Sequence, residues 1–375
     1  MVIAFNKPDL SKLEGKYVNE VVISGKTSGG GKYTALCEKT LTEQLSVKKC
    51  LLTSSCTHAL EMSALLVDIQ PGDEVIVPSF TFVTSALAFV MRGAIPVFAD
   101  IRKDTLNIDE TQLNNLITDK TRAIVVVHYA GVACEMDTIM AIAERHHLFV
   151  IEDNAHGLFG KYKNQYLGSI GHLATLSFHE TKNLSCGEGG ALLINDERFI
   201  KRAEILRDKG TDRARFFRGE IDKYSWVDLG SSYLMSELNA AMLLGQLERA
   251  HDIQSHRARV WNEYYRHLMP LINDSYALPT IPVHCEQTYH MFYLLCRDED
   301  QRQDLIQFMK NKGVQVAFHY LPLHTSSAGK QYLNKLQDCP VTNDIAHRLV
   351  RLPLYRLPLE DLNWIKSCLT EYLIR

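Results

Sequence analysis

Between residues 49 and 196 the chain alternates short apolar runs, rich in β-branched residues, with longer stretches of helical spacing. The runs are Cys50-Leu-Leu-Thr, Val75-Ile-Val-Pro, Ile95-Pro-Val-Phe-Ala, Ala123-Ile-Val-Val-Val, Leu148-Phe-Val-Ile, Leu173-Ala-Thr-Leu-Ser-Phe and Gly190-Ala-Leu-Leu-Ile. Several lack the polar alternation of a sheet with one wet face, so both faces must be covered, and the helical stretches between the early runs suit right-handed crossovers. The expected fold is α/β, a seven-stranded, mostly parallel sheet. Only about ten residues separate Phe178 from Gly190, too few for a helical crossover, so the seventh strand is expected to run antiparallel.

After residue 196 the pattern turns helical through roughly 250, and 251–265 reads as a long polar helix leading out of the sheet domain. Beyond Pro270 come strand-like 291–295, helix-like 304–309, strand-like 314–318 and a final helix near 359–373, the composition of a smaller α+β domain. The division expected is 1–250 for the large domain and 251–375 for the small one.

The charge balance, 41 Lys plus Arg against 44 Asp plus Glu, nets −3 and supplies no field to hold nucleic acid. No stretch free of Asp, Glu, Lys and Arg exceeds 17 residues, and the one between Glu74 and Arg92 contains Pro78 and four Ser or Thr, so no membrane insertion is expected. Nine cysteines, an odd number with no Cys-x-x-Cys pair, and an N-terminus without a basic-then-apolar leader point to a reduced, cytoplasmic setting.

Gly25-Lys26-Thr27 and Gly31-Lys32 would complete a phosphate loop only with Gly at 20 or 26, where Glu20 and Lys26 stand. Gly29-Gly30-Gly31 follows no strand and reads as a loop of close approach. His128, His146, His147, His172 and His179 lack ligand spacing, so no metal is expected.

Three constellations remain. Thr53-Ser-Ser-Cys-Thr-His58 lies between a strand and a helix, where free backbone N–H groups and hydroxyls form either a phosphate cradle or a simple N-cap. Asp153 ends a buried strand at the edge where open α/β sheets bind ligands; it needs a cationic partner or caps the next turn, while Glu152 faces the other way by strand alternation. Lys182, in Ser177-Phe-His-Glu-Thr-Lys-Asn183 before Gly187-Glu-Gly-Gly190, is either a solvated surface charge or a reactive amine at the same edge. Together, in that order on one sheet, the three fit pyridoxal 5'-phosphate (PLP).

Each group then has a role. Lys182 would form the Schiff base and move the proton at the amine-bearing carbon. Asp153 would pair with the pyridine nitrogen. Cys56, Thr57 and Ser177 would help hold the phosphate, His156 would reach the ring hydroxyl, and Phe82 would stack on the ring unless it merely fills the core.

On these residues, with Pro78-Ser-Phe-Thr-Phe-Val-Thr84, Asp153-Asn-Ala-His156, Gln246-Leu-Glu248 and Phe318-His-Tyr-Leu-Pro-Leu-His324, the chain resembles the DegT/DnrJ/EryC1/StrS family of sugar-nucleotide aminotransferases, fold type I PLP enzymes. Val127–Asp137 and Asp228–Ser236 are similar to the members that act on TDP-4-keto-6-deoxy-D-glucose at C4. The resemblance implies transamination with L-glutamate as donor, TDP-4-amino-4,6-dideoxy-D-galactose as product, and a place in enterobacterial common antigen or O-antigen synthesis. It also implies a homodimer in which a loop of the neighbour completes each phosphate site. Ser232 stands where that loop often carries Asn, and Leu234 where it often carries Arg.

The C4 epimer, a 3-amino product and a GDP-linked substrate stay open, as does a PLP-binding regulator without turnover. A dehydratase on this fold would lack the Schiff-base lysine. Arg213, Arg215 and Arg218 are candidates for a diphosphate clamp, or form a solvated loop. His319, Tyr320 and His324 are candidates for the sugar pocket. The residues that receive the glutamate carboxylates are not legible.

Overall fold

The computed structural model describes residues 2–333 and 337–374. Its main sheet has seven strands: β1 (Lys49–Thr53), β2 (Glu74–Pro78), β3 (Ile95–Ala99), β4 (Thr121–Val127), β5 (Phe149–Asp153), β6 (Leu173–Ser177) and β7 (Gly190–Ile194). They lie in the order β1-β7-β6-β5-β4-β2-β3, and β7 is antiparallel to both its neighbours while the rest run parallel.

The unbroken apolar runs work because successive side chains enter different cores. Val75, Val77, Ala123, Val125 and Ile151 pack on one face with helices α3 (Cys56–Leu66) and α4 (Thr84–Val90). Ile76, Ile124, Val126 and Val150 pack on the other with α5 (Met136–Arg145). Each such Val or Ile, taken fully out of water, stabilises the fold by about 1.5–3 kcal/mol, and one polar replacement on either face has no wet side to turn to.

Helices α1 (Lys12–Ser24) and α2 (Lys32–Leu45) cover β1 and β7 together with α6 (Glu237–Glu248). The glycine run before α2 is a close approach, as its composition predicts. A Cβ on Gly29 would lie 2.2 Å from the Met235 carbonyl oxygen, and one on Gly31 would lie 2.7 Å from the Glu237 carboxylate. That carboxylate is the N-cap α2 lacks: it accepts from Gly31 N at 3.0 Å, Tyr33 N at 2.8 Å, Thr34 N at 2.9 Å and Thr34 Oγ1 at 2.5 Å.

Helix α7 (Ala250–Leu268) leads away from the sheet, and a separate core gathers residues between 260 and 373 together with Ile3. Strands β8 (Phe292–Leu295) and β9 (Leu349–Leu352) pair there, antiparallel, beside the final helix Leu359–Leu373. The stretch 314–318 is not the strand its alternation predicts. Val314 bridges Ile3 and Ala317 bridges Arg351 as isolated pairs, and the partner of β8 is β9, whose Arg351 hides the apolar pattern. The helical expectation for 196–250 is also too broad. Residues 218–236 form no helix, because Gly210 and Gly230 draw two loops into backbone contact, a Cβ on Gly210 falling 1.9 Å from the Asp228 oxygen.

The parallel strands end at one edge of the sheet, where Val127 pairs with Asp153 and Asp153 with Thr175, while Ser177, two residues further along β6, pairs with Gly190, itself opposite Thr53. Among the described residues no helix is long and apolar enough to cross a membrane.

Candidate active site

A cavity of about 640 Å³ opens over that edge, within the range of small-molecule sites. From the sheet side it receives Cys56, Thr57, Phe82, Asp153, His156, Ser177 and Lys182. From the segments beyond residue 250 it receives His319 and Tyr320. The three separate constellations therefore meet in one space.

One end of the cavity is built by the N-terminus of α3. Ser55 caps the helix, its hydroxyl accepting from His58 N at 3.1 Å, and the first N–H groups of the helix have no carbonyl acceptor within it. Gly190 lets β7 press against this terminus: a Cβ there would sit 2.3 Å from Cys56 N. Burial pushes the Cys56 thiol well above its ordinary range, so it enters the site neutral, its Sγ 3.4 Å from Thr175 Oγ1.

Asp153 leaves the end of β5 with Oδ2 accepting from Ser85 Oγ at 2.7 Å and Oδ1 accepting from Ala155 N at 3.2 Å. Ser85 Oγ is in turn 2.9 Å from Thr81 Oγ1. Burial raises the carboxyl's pKa, and the Ser85 bond and the charge of Lys182 hold it down. Next to it, Glu152 points through the sheet to the opposite side. Burial pushes its pKa up, but His128 Nε2 at 2.8 Å and the amides of Gly168, Ile170 and Gly171 more than reverse this. One carboxylate is fully provided for by the protein; the other has a single hydroxyl and one long amide bond and faces the cavity.

Lys182 sits in the loop between β6 and β7, closed by Phe178 N donating to Gly189 O and Cys186 N to Phe178 O, at 2.8 and 2.9 Å. Burial lowers its pKa to about 8, against the pull of Cys56 and Asp153. Asn183 fixes the loop from behind, donating to Thr288 O at 2.8 Å and Gln254 Oε1 at 2.9 Å and accepting from His290 Nδ1 at 2.8 Å. His290 stacks on His156 with ring centroids 4.3 Å apart, and burial keeps both neutral. His156 Nδ1 is buried with no hydrogen-bond partner.

These features fit pyridoxal 5'-phosphate. A helix terminus offers amides to a phosphate, a buried carboxylate with no ion pair among the described residues faces the cavity, an orphaned ring nitrogen waits for a polar partner, and a lysine amine is half neutral near pH 8.

Other expected residues lie elsewhere. His324 does not line the cavity: it is buried, and its Nδ1 2.6 Å from Ser79 Oγ and its N–H donating to that oxygen at 3.2 Å tie the 322–326 turn to the end of β2. Arg213, Arg215 and Arg218 are outside the cavity of their own chain. Arg213 lies 3.7 Å from Asp208, Arg215 is 3.1 Å from Glu220, and Arg218 is 2.9 Å from Glu204 and 2.6 Å from Glu220. Ser232 is exposed, bridging Asp208, one residue before Tyr233, whose carbonyl accepts from Ser54 N at 2.9 Å. Phe82 is 57% exposed on the cavity wall, so it is not a core residue.

The cavity also receives residues to which the sequence reading gives no role in the site: Thr81, Phe5, Asn6, His290, Arg257 and Arg351. Thr81 sits four residues before Ser85, a helical spacing beside Phe82 that could have been noticed. Arg351 interrupts an otherwise apolar strand, which is a signal of the same kind. Phe5 and Asn6 arrive by chain reversal alone, with Asn6 Nδ2 donating to Glu180 O at 3.0 Å.

Comparison with known proteins agrees with this site. The model of the DegT/DnrJ/EryC1/StrS aminotransferase family matches residues 8–368. The chain is 34% identical to the spore coat polysaccharide biosynthesis protein SpsC of Bacillus subtilis (strain 168), over 96% of this chain and 94% of that one. It is 32% identical to GDP-perosamine synthase of Escherichia coli O157:H7, over 98% and 97%. Among solved structures, Spr1654 from Streptococcus pneumoniae in its PMP-form superposes with a TM-score of 0.92 at 26% identity, covering 99% of each chain, and a PLP-form matches at 0.91. A family match over nearly the whole length, on the fold and around the lysine described, makes this chain a PLP-dependent sugar aminotransferase of the DegT/DnrJ/EryC1/StrS family.

Proposed function

We propose that the protein transfers the amino group of L-glutamate to C4 of TDP-4-keto-6-deoxy-D-glucose, giving TDP-4-amino-4,6-dideoxy-D-galactose for a surface polysaccharide, and that it does so in the cytoplasm as a homodimer. The observation that carries the chemistry is the meeting of Lys182, Asp153 and the α3 terminus in one cavity. The likeness of 127–137 and 228–236 to the C4-aminating members supports the substrate, and the name of SpsC supports a polysaccharide context.

PLP, when bound, supplies the electron sink for the carbanion at the amine-bearing carbon. The protein does the rest. Lys182, lowered to about 8, is already about one-tenth neutral at pH 7 and able to take and return a proton. Asp153, whose burial-raised pKa the Ser85 bond opposes, would hold the ring N–H, and the α3 amides with Thr57 and Ser177 would hold the phosphate. His156, neutral and with a free nitrogen, meets the ring hydroxyl. Because Lys182 approaches from one side only, the proton reaches one face of the sugar carbon, and that face sets the axial or equatorial amine.

A second copy is supported by apolar side chains left in water beside the site. Phe82, Val83, Leu87 and Met91, and separately Trp226, Val227 and Leu229, are exposed. In a homodimer Ser232, outside its own chain's cavity, would complete the neighbour's phosphate site. Arg213, Arg215 and Arg218 would then be offered to the neighbour's nucleotide, provided their acids release them.

The test is spectral. L-Glutamate should bleach the visible absorbance of the holoenzyme, and TDP-4-keto-6-deoxy-D-glucose should restore it, with ring couplings in the NMR spectrum of the product assigning the axial amine. No bleaching by any amino acid would leave a PLP-binding regulator. Likeness to GDP-perosamine synthase makes the GDP-linked 4-keto sugar the competing acceptor, and restoration by that sugar alone would overturn the TDP assignment.

A further inference from the structure

Residues 288–290 are pinned at every step. Thr288 donates from Oγ1 to His156 O at 2.6 Å, and its carbonyl accepts from Asn183 Nδ2 at 2.8 Å. Tyr289 has φ +53°, in the left-handed region that a bulky side chain rarely enters. Strain of that kind persists only where the surroundings enforce it, and here they do. Arg257, on α7 and 5% exposed, donates from Nε to Tyr289 O at 3.1 Å and from Nη2 to His290 O at 2.6 Å. The His290 ring thereby lines the cavity, parallel to the His156 ring with centroids 4.3 Å apart.

The proton on that ring can be placed. Asn183 donates with its amide nitrogen to Gln254 Oε1 and Thr288 O, so its Oδ1 is left to accept, and His290 Nδ1, 2.8 Å away, carries the proton between them. Burial, and then the neighbouring His156, Lys182, Arg257 and Arg351, push the His290 pKa well below its ordinary value. The ring is neutral, and its Nε2 is a bare lone pair. Among the described residues nothing donates to that nitrogen, and unlike His156 Nδ1 it is not sealed inside the protein. It opens into the cavity as a hydrogen-bond acceptor, too weak a base to take a proton near pH 7.

Such a nitrogen suits one substrate and not the other. Beyond the amine that reacts, L-glutamate brings carboxylates, which also accept and would face the lone pair unfavourably. The keto sugar brings hydroxyls, which donate. His290 is bonded to the residue that follows Lys182, so it stands beside the reacting amine, and the hydroxyl-bearing neighbour of the sugar's C4 is C3. We infer that His290 Nε2 accepts a hydrogen bond from the C3 hydroxyl of the sugar acceptor, with Asn183, Arg257 and His156 holding the ring in place for it. His290 is then a specificity residue of the second half-reaction. The inference rests on the C4-transaminase reading above.

The test uses the PMP form of the holoenzyme, returned to the PLP form by the sugar nucleotide, with each variant shown first to load cofactor and to melt as the wild type does. In the wild type the 3-deoxy analogue of the acceptor should need a concentration about 5–50-fold higher for half-saturation, as expected when a buried acceptor loses its only donor. The 2-deoxy analogue should shift it less than about twofold. His290→Asn keeps an amide N–H for Asn183 and loses the acceptor, so it should weaken the natural sugar about 5–50-fold. It should also treat the 3-deoxy analogue and the natural sugar alike within about twofold, and leave half-bleaching by L-glutamate within about twofold of the wild type. His290→Gln, whose Oε1 can reach the place of Nε2, should recover part of the loss. His290→Phe, which keeps the stack on His156, takes the place of His290→Asn if the latter does not load PLP, with the same expectations. Equal use of the two sugars by the wild type, a preference for the C3 hydroxyl that survives in the variant, or equal weakening of sugar and L-glutamate would each overturn the inference and leave the transaminase standing. A wild-type PMP form that no 4-keto sugar nucleotide returns to PLP would instead bring down the C4-transaminase reading.

Discussion

Replacing Lys182 with Met should stabilise the cofactor-free protein, because the lysine is held where its charge is unwelcome. In an unfolded chain Lys182 keeps its proton up to about pH 10.5; in the fold, burial lowers this to about 8, even with Cys56 and Asp153 pulling the other way. Between those values folding expels a proton, so stability rises with pH through that window, and below pH 8 the whole penalty is in force. At about 1.4 kcal/mol per pH unit the penalty is about 3 kcal/mol.

Met has a similar length and no charge, so it removes that cost. Part is taken back, since the charge of Lys182 is one of the things holding down the pKa of buried Asp153. The expected gain at pH 7 is therefore about 1–3 kcal/mol, shrinking towards zero as pH approaches 10.5. Urea unfolding of both apo proteins at matched concentration, at pH 7, 8, 9 and 10, measures it. A gap that is absent at pH 7, or as large at pH 10 as at pH 7, would refute the burial argument and place the amine in water.

Three further perturbations follow from named contacts. Glu237→Ala strips the remote cap of α2, four hydrogen bonds to one carboxylate, and should cost about 3 kcal/mol or more in urea unfolding, with Glu237→Gln recovering part; a cost under about 1 kcal/mol would show that water replaces the cap. Gly190→Ala puts a methyl 2.3 Å from Cys56 N, so the α3 terminus must shift, and PLP affinity read by fluorescence titration should fall about tenfold or more (about 1.4 kcal/mol), with an unchanged affinity showing that the cradle is not there. Ser85→Ala removes a bond that lowers the Asp153 pKa, so the carboxylate protonates at a higher pH and the acid limb of the turnover profile should move up, by about half a unit to one unit; a limb that stays put would mean Asp153 does not set it.

How much of this was legible in the sequence depends on the range of the forces involved. The seven strands stand within a residue or two of their apolar runs, and the reversal of β7 follows from a loop too short for a crossover. Cys56, Asp153 and Lys182 could be placed at one edge because strand direction carries them there. What could not be read arrives from a distance. Arg351 reaches the cavity because β9 pairs with β8; a charge inside an apolar strand marks it as unusual, but the pairing that brings it to the cavity joins segments more than fifty residues apart. His324 was misplaced for the same reason: adjacent to a pocket-lining segment, it is diverted by one hydroxyl, that of Ser79.

Glu152 and Asp153 show why proximity in sequence is a poor guide to shared work. They are neighbours on one strand, both buried, and differ only in which side of the pleat they occupy. On one side a histidine and three amides close around Glu152 and make a carboxylate that needs nothing more. On the other, Asp153 is left with a serine hydroxyl, one amide and the more distant charge of Lys182, so burial still raises its pKa and a positive group entering the cavity would stabilise it further. The arginines show the same contrast: Arg207 has an acid partner, whereas Arg351, which lines the cavity, has none at ion-pair distance among the described residues. In this cavity the functional groups are those the fold leaves unfinished, and each can be found by asking what it lacks.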